Sequence, residues 1–127
     1  MCGFAGVLNY KQSDLSRVVS KMIEAIRHRG PDDSGVWCEP SVGLGIGHAR
    51  LSILDLSPAG HQPMASTSGR YVLAFNGEIY NHLDLRVQLP NRSWRGHSDT
   101  ETLLAAFEIW GVEKTLQASI GMFALAL

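Results

Sequence analysis

Leu15, Val18, Val19, Met22, Ile23 and Ile26 recur at intervals of three and four, which puts them on one face of a helix. The spacing predicts a helix over 14–28, with Ser13 or Asp14 as N-cap and Gly30-Pro31 to end it. A second helix is expected over 100–110, after Ser98 or Asp99 as cap, with Leu103, Leu104 and Phe107 on one face. Residues 82–89 read as a short helix. Short apolar runs predict strands at 35–38, 42–53 and 71–75 and buried strands at 2–8 and 122–127. The segment 57–69 holds Pro58, Gly60 and Pro63 among small polar residues and reads as a loop. Helices and strands thus mix along a chain of 127 residues, which makes one α/β (α+β) domain.

Charge and composition narrow the function classes. A formal net charge of −1 and a charged fraction of 18% give no electrostatic reason to expect nucleic acid or a membrane surface as partner. No apolar run reaches the length that spans a bilayer. The first residues lack the basic stretch and apolar block of a secretory signal, and two cysteines make no disulfide framework, so a cytoplasmic location is expected. The five His residues show no metal-ligand spacing, so no metal is expected. Gly43, Gly45 and Gly47 imitate part of a dinucleotide fingerprint but open no helix, so a phosphate-binding loop is rejected. Cys38 reads as an inert core thiol and Asp32-Asp33 as a turn. Asn91-Arg92-Ser93 fits a glycosylation sequon that carries no weight without a secretory signal.

Five positions offer chemistry. Cys2 follows the initiator Met1, and its small side chain and the next residue, Gly3, favour removal of that methionine. Removal leaves one residue with both a thiol, pKa near ~8.5, and an α-amine, pKa near ~7.7–8.0, which can take the thiol proton without a histidine. The plainer reading is a small apolar residue at a strand start. Asn76-Gly77 can supply a side-chain N–H and a main-chain N–H to a developing oxyanion. Read by itself, Asn-Gly between apolar runs slightly favours a hairpin turn. Arg50 interrupts the apolar run 48–54, where an unpaired charge is costly and implies a ligand or an ion-pair partner. Asp99 at a helix start is a cap by default, but with Arg50 it would match the two charges of an amino-acid end group.

These residues sit in blocks that resemble a known family. Met1-Cys2-Gly3-Phe4-Ala5-Gly6, Arg27-His28-Arg29-Gly30-Pro31-Asp32 and His48-Ala49-Arg50-Leu51-Ser52-Ile53 are similar to the class II glutamine amidotransferases, and more narrowly to the glutaminase domain of glutamine-dependent asparagine synthetases. Phe75-Asn76-Gly77-Glu78-Ile79-Tyr80-Asn81, Ser98-Asp99-Thr100-Glu101 and Gly121-Met122-Phe123-Ala124 continue the match in order over essentially the whole chain. The resemblance implies a four-layered α/β/β/α sandwich of the N-terminal-nucleophile hydrolases. It implies Cys2 as the nucleophile forming a γ-glutamyl thioester, with its α-amine as base and with Asn76 and Gly77 as oxyanion donors. Arg50 would hold the glutamine carboxylate, Asp99 and Glu78 its ammonium, and Leu51 and Ile53 would shape the pocket. The loop 27–35 would lie near the site.

In that family ammonia passes to a synthetase domain that uses ATP and magnesium and activates aspartate. No motif for that domain occurs in 1–127, so no cofactor is expected in this segment. The chain ends within the strand at 122–127, so the glutaminase domain is expected to be C-terminally incomplete. A homodimer stays open. Three other readings remain beside the glutaminase: an interaction or scaffold fragment, an amidotransferase domain serving a sugar or antibiotic-precursor acceptor, and an N-terminal-nucleophile hydrolase of another amide. With Met1 retained, the α-amine would belong to the wrong residue and the base would be lost.

Overall fold

The computed structural model describes residues 2–11, 13–89 and 92–127. Met1 and Asn91 lie outside them, so neither the trimming of the first residue nor the sequon is addressed by the fold.

Two three-stranded antiparallel sheets form the domain. The first takes β1 (Gly3–Val7), β2 (Asp33–Glu39) and β3 (Leu44–Arg50), with β3 in the middle. The second takes β4 (Met64–Ala65), β5 (Val72–Ile79) and β6 (Gly121–Ala126), with β5 in the middle. Four helices complete it: α1 (Leu15–Ala25), α2 (His82–Val87), α3 (Asp99–Trp110) and α4 (Val112–Ala118). Helix α1 packs on the first sheet and α3 on the second, while β1 and β3 meet β5 between them. None of the helices among the described residues is long and apolar enough to cross a membrane.

The predicted helix over 14–28 divides at its end. Leu15, Val19 and Ile23 are its buried face, and after Ala25 the chain tightens into a 3-10 turn at Arg27–Arg29. Gly30 then passes so close to the main chain of Ala49 and Arg50 that a Cβ there would strike it. The glycines of β3 acquire a role that the sequence left open. Along a strand, alternate residues face opposite sides. A Cβ on Gly45 would meet Val19 and Leu15, and one on Gly47 would meet Ile23 and Val19. Small residues on that side let α1 sit directly on the strand, while Ile46, His48 and Arg50 point to the other side.

Four expectations are corrected. The strand predicted over 42–53 ends at Arg50, and the apolar residues after it form a loop with Ile53 and Leu54 exposed. Asn76-Gly77 is no hairpin turn: β5 runs straight through it, with Asn76 opposite Ala124 and Gly77 opposite Phe123 of β6. The pairing partner lies more than forty residues downstream, so the local pattern of a turn loses to a long-range ladder. Gly77 is needed there because a Cβ would run into the Met122 carbonyl and Phe123. Helix α4 and the two-residue β4 were not foreseen, and β6 is only half-buried, with Met122 exposed. Cys38, expected in the core, is also only half-buried.

Helix α1 gives a test of the close packing. Gly47→Ala should overpack the α1–β3 contact and destabilise the fold by about 1–3 kcal/mol in urea unfolding. An unchanged midpoint would mean that α1 does not rest on β3.

Candidate active site

Strand register brings the candidate residues together. Gly3 of β1 lies opposite Ala49 of β3, so Cys2 reaches the end of β3 where Arg50 and Leu51 emerge. There the Leu51 N–H donates to Cys2 Sγ (3.2 Å), and Sγ lies 3.4 Å from the Leu51 carbonyl. Arg29 Nε donates to the Cys2 carbonyl (3.0 Å), fixing the residue from the 3-10 turn that follows α1. The thiol is thus held in one place by main-chain groups at the start and end of neighbouring strands.

Arg50 is only 7% exposed, yet it has no carboxylate at hydrogen-bond distance. Its guanidinium donates to the carbonyls of Ser57 (3.1 Å, from Nη1) and Asp55 (from Nη2), and lies 3.9 Å from Asp33 Oδ2. A Cβ on Gly60 would collide with it, so that glycine makes the room the guanidinium occupies. Carbonyl dipoles compensate the charge only in part, and donors remain for an anionic partner.

Asp55 builds this loop. Its Oδ1 accepts from the Ser57 N–H (2.8 Å) and hydroxyl (2.6 Å), and its Oδ2 accepts from the His97 N–H (2.7 Å). Burial would raise the Asp55 carboxyl, but the hydrogen bonds from Ser57 and His97 and the charge of Arg50 outweigh it and hold the group down to about 2. One carboxylate therefore ties the 51–57 loop to the segment that leads into α3.

At the start of α3 the cap is Ser98, whose Oγ accepts the Glu101 N–H (3.2 Å). Asp99 does a different job. It is 5% exposed, its Oδ2 accepts the Ile79 N–H (2.9 Å) and its Oδ1 the Thr100 N–H (2.9 Å). Among the described residues no cation pairs with it. Burial pushes its pKa up and the charge of Glu78 adds to that, against the two N–H bonds and His82, which pull it down. Glu101, two residues on, folds back to accept the N–H of Arg95 (2.9 Å) and Gly96 (3.0 Å), a variant of the capping box that shapes the loop before the helix.

A cavity of about 440 Å³ joins these parts, a size suited to a small ligand. Cys2, Arg50, Leu51, Ile53, Asn76, Gly77, Glu78 and Asp99 all line it. The sequence left open whether Arg50 and Asp99 converge; they stand on the walls of one cavity. A buried cation whose Asp33 partner stands 3.9 Å away, and a buried anion with no cation paired to it among the described residues, match the two charges of a free amino acid. The sequence reading missed Asp55 and Gln62, which also line the cavity. Gln62 sits in a stretch read as loop, and only its distant partners reveal its role. Asp32-Asp33 is more than a turn, since Asp32 Oδ2 accepts the Ser52 N–H (2.8 Å) and Asp33 faces Arg50 and His61. Among the described residues no group of three or more His, Cys, Asp or Glu side chains gathers as metal ligands would.

The glutamine amidotransferase domain family model matches residues 1–127, the whole chain. Asparagine synthetase B [glutamine-hydrolyzing] of Escherichia coli (strain K12) is 40% identical over 130 residues, covering all of this chain and 23% of the relative. Asparagine synthetases [glutamine-hydrolyzing] 1 and 3 of Bacillus subtilis (strain 168) are each 38% identical, over 133 and 136 residues, covering all of this chain and 20% and 21% of the relatives. The chain thus spans about a fifth of the length of these curated relatives. With a match along its full length, this chain belongs to the glutamine amidotransferase domain family.

Proposed function

We propose that the domain hydrolyses glutamine to glutamate and ammonia through a γ-glutamyl thioester on Cys2, and that the ammonia serves an ATP-dependent amidation of the asparagine synthetase type. The observation that carries this reading is the cavity in which a thiol, the buried Arg50 guanidinium and the buried Asp99 carboxylate meet, with no carboxylate within hydrogen-bond distance of Arg50. The guanidinium suits the α-carboxylate of glutamine and the Asp99 carboxylate its ammonium, with Glu78 adding negative charge. Leu51 and Ile53 bound the path of the side chain. The amide then reaches toward Cys2.

The steps balance on this chain's own groups. With Met1 removed, the Cys2 α-amine takes the thiol proton and Sγ attacks the side-chain carbonyl carbon. The carbonyl π-electrons move to oxygen, where the Asn76 side-chain N–H and the Gly77 N–H donate to the oxyanion. Gly77 shares strand parity with Phe75 and Ile79, whose N–H groups turn to Gln62 and Asp99 rather than to β6. Collapse expels ammonia, which takes the proton from the α-ammonium. Water, deprotonated by the same amine, attacks the thioester carbon; the C–S bond breaks, the α-ammonium returns its proton to Sγ, and glutamate leaves. Leu51 N–H, already bonded to Sγ, stabilises the thiolate.

The proposal extends to the architecture and the partner. The stacking of α1, the first sheet, the second sheet and α3 supports the four-layered α/β/β/α arrangement of N-terminal-nucleophile hydrolases. The relatives named as glutamine-hydrolysing asparagine synthetases are four to five times longer than the matched region, which supports a synthetase partner region as the consumer of ammonia, with ATP and magnesium bound there.

Three results test this reading. Cys2→Ala should abolish glutamine hydrolysis while glutamine still binds in calorimetry; surviving hydrolysis would remove Cys2 as nucleophile. Arg50→Ala should raise the glutamine KM by roughly 100-fold, the order expected for an unpaired carboxylate in a largely apolar pocket. A KM that does not move would exclude Arg50 from the site. The third is acid dependence. Asp99 must be ionised to hold an ammonium, and its pKa is raised, so glutamine affinity should fall on acidification at a higher pH than an ordinary aspartate would give. Asp99→Asn should weaken binding at neutral pH and flatten that fall; an identical pH profile would exclude Asp99.

A further inference from the structure

Strand β5 carries Asn76 and Gly77, yet its support on one side stops early. β4 pairs with it only at Met64↔Leu73 and Ala65↔Val72. Counting back along β4, Pro63 falls opposite Ala74 and Gln62 opposite Phe75, and proline has no N–H to continue the ladder. The main-chain groups of Phe75 therefore need partners from elsewhere, since buried strand groups are seldom left unpaired.

Two buried side chains supply them. Gln62 Oε1 accepts the Phe75 N–H (2.7 Å), and His48 Nε2 lies 2.9 Å from the Phe75 carbonyl. A carbonyl only accepts, so His48 carries its proton on Nε2 and donates it. Its Nδ1 has no polar partner among the described residues, and burial pushes the ring pKa down, both of which fit a neutral imidazole. His48 comes from the middle of β3 and Gln62 from the loop between the sheets. Gln62 also donates from Nε2 to Thr100 Oγ1 (3.2 Å), next to Asp99. The residue that precedes Asn76 is thus held at both its N–H and its carbonyl by side chains from other elements.

We infer that Gln62 and His48 are positioning residues that clamp the Phe75 main chain and so fix where Asn76 and Gly77 present their donors. The inference rests on the proposed glutaminase function and adds which residues hold the oxyanion donors. Neither side chain needs to touch glutamine. The clamp acts on the transition state, because the misalignment of a donor displaced by a fraction of an ångström costs most when charge develops on the oxygen. The Gln62–Thr100 bond is a separate strut from the same side chain to the helix that carries Asp99.

The test is a set of steady-state measurements on the full protein with glutamine. Gln62→Met removes both bonds of that side chain and should lower kcat by roughly tenfold or more, with KM changed no more than in Thr100→Val. Thr100→Val cuts only the strut and should act on KM rather than kcat. Alkylation of Cys2 by iodoacetamide, which needs no oxyanion donor of this kind, should proceed at the unsubstituted rate in Gln62→Met. If Gln62→Met does not fold, His48→Leu opens the other side of the clamp and should lower kcat in the same way, with His48→Gln restoring a donor and most of the rate. A kcat insensitive to both sides of the clamp, or a loss matched by an equal change in alkylation rate, would overturn the inference and leave the glutaminase reading intact. Absence of glutamine hydrolysis in the unsubstituted protein would overturn both.

Discussion

β1 begins one residue after Cys2, and its pairing with Gly3 opposite Ala49 carries the thiol to the end of β3. The other parts of the site are arranged around that point. β3 can be central because its glycines admit α1 on one side, leaving His48 and Arg50 to face the other sheet. The end of the same strand supplies the Leu51 N–H that meets the thiol and the Arg50 guanidinium that enters the cavity. A shift of one residue in this register would turn every side chain of β1 to the opposite face and withdraw Cys2 from the cavity.

Electrostatics around the cavity follow one pattern: Arg50 and Asp99 are held chiefly by main-chain groups. Arg50 is fixed by two carbonyls and Asp99 by two N–H groups. Such bonds orient a charged group without neutralising it, so each keeps attraction for a ligand of opposite charge. Asp55 is the contrast. Its carboxylate is satisfied by the 57 and 97 segments, and it serves the framework. Buried charge of this kind costs stability when unpaired, which is why it gathers at sites where a ligand completes it.

How much of this was legible in the sequence depended on how local each signal was. The apolar period of α1 and the cap before α3 are local, and both helices were read with small errors at their ends. The run Leu51–Ile53 looked like more strand because hydrophobicity cannot distinguish a buried strand from a cavity loop; Ile53 is 64% exposed. Asn76-Gly77 looked like a turn because β6, its partner, comes far later in the chain. All eight candidate site residues line the one cavity, since resemblance over several ordered blocks carries the three-dimensional constraint that a single motif lacks. Gln62 and Asp55 were missed for the converse reason. Their roles lie in hydrogen bonds to Phe75, Thr100, Ser57 and His97, and no spacing rule within the chain announces those contacts.

The central claim is that Cys2, and no other nucleophile, takes the γ-glutamyl group. Rapid acid quenching of the protein during glutamine turnover, followed by peptide mass analysis, tests it most directly. A γ-glutamyl adduct is expected on a peptide that begins at Cys2, with its α-amine free and Met1 gone. Turnover with the adduct on Cys38, or on a Cys2 that still follows Met1, would contradict it.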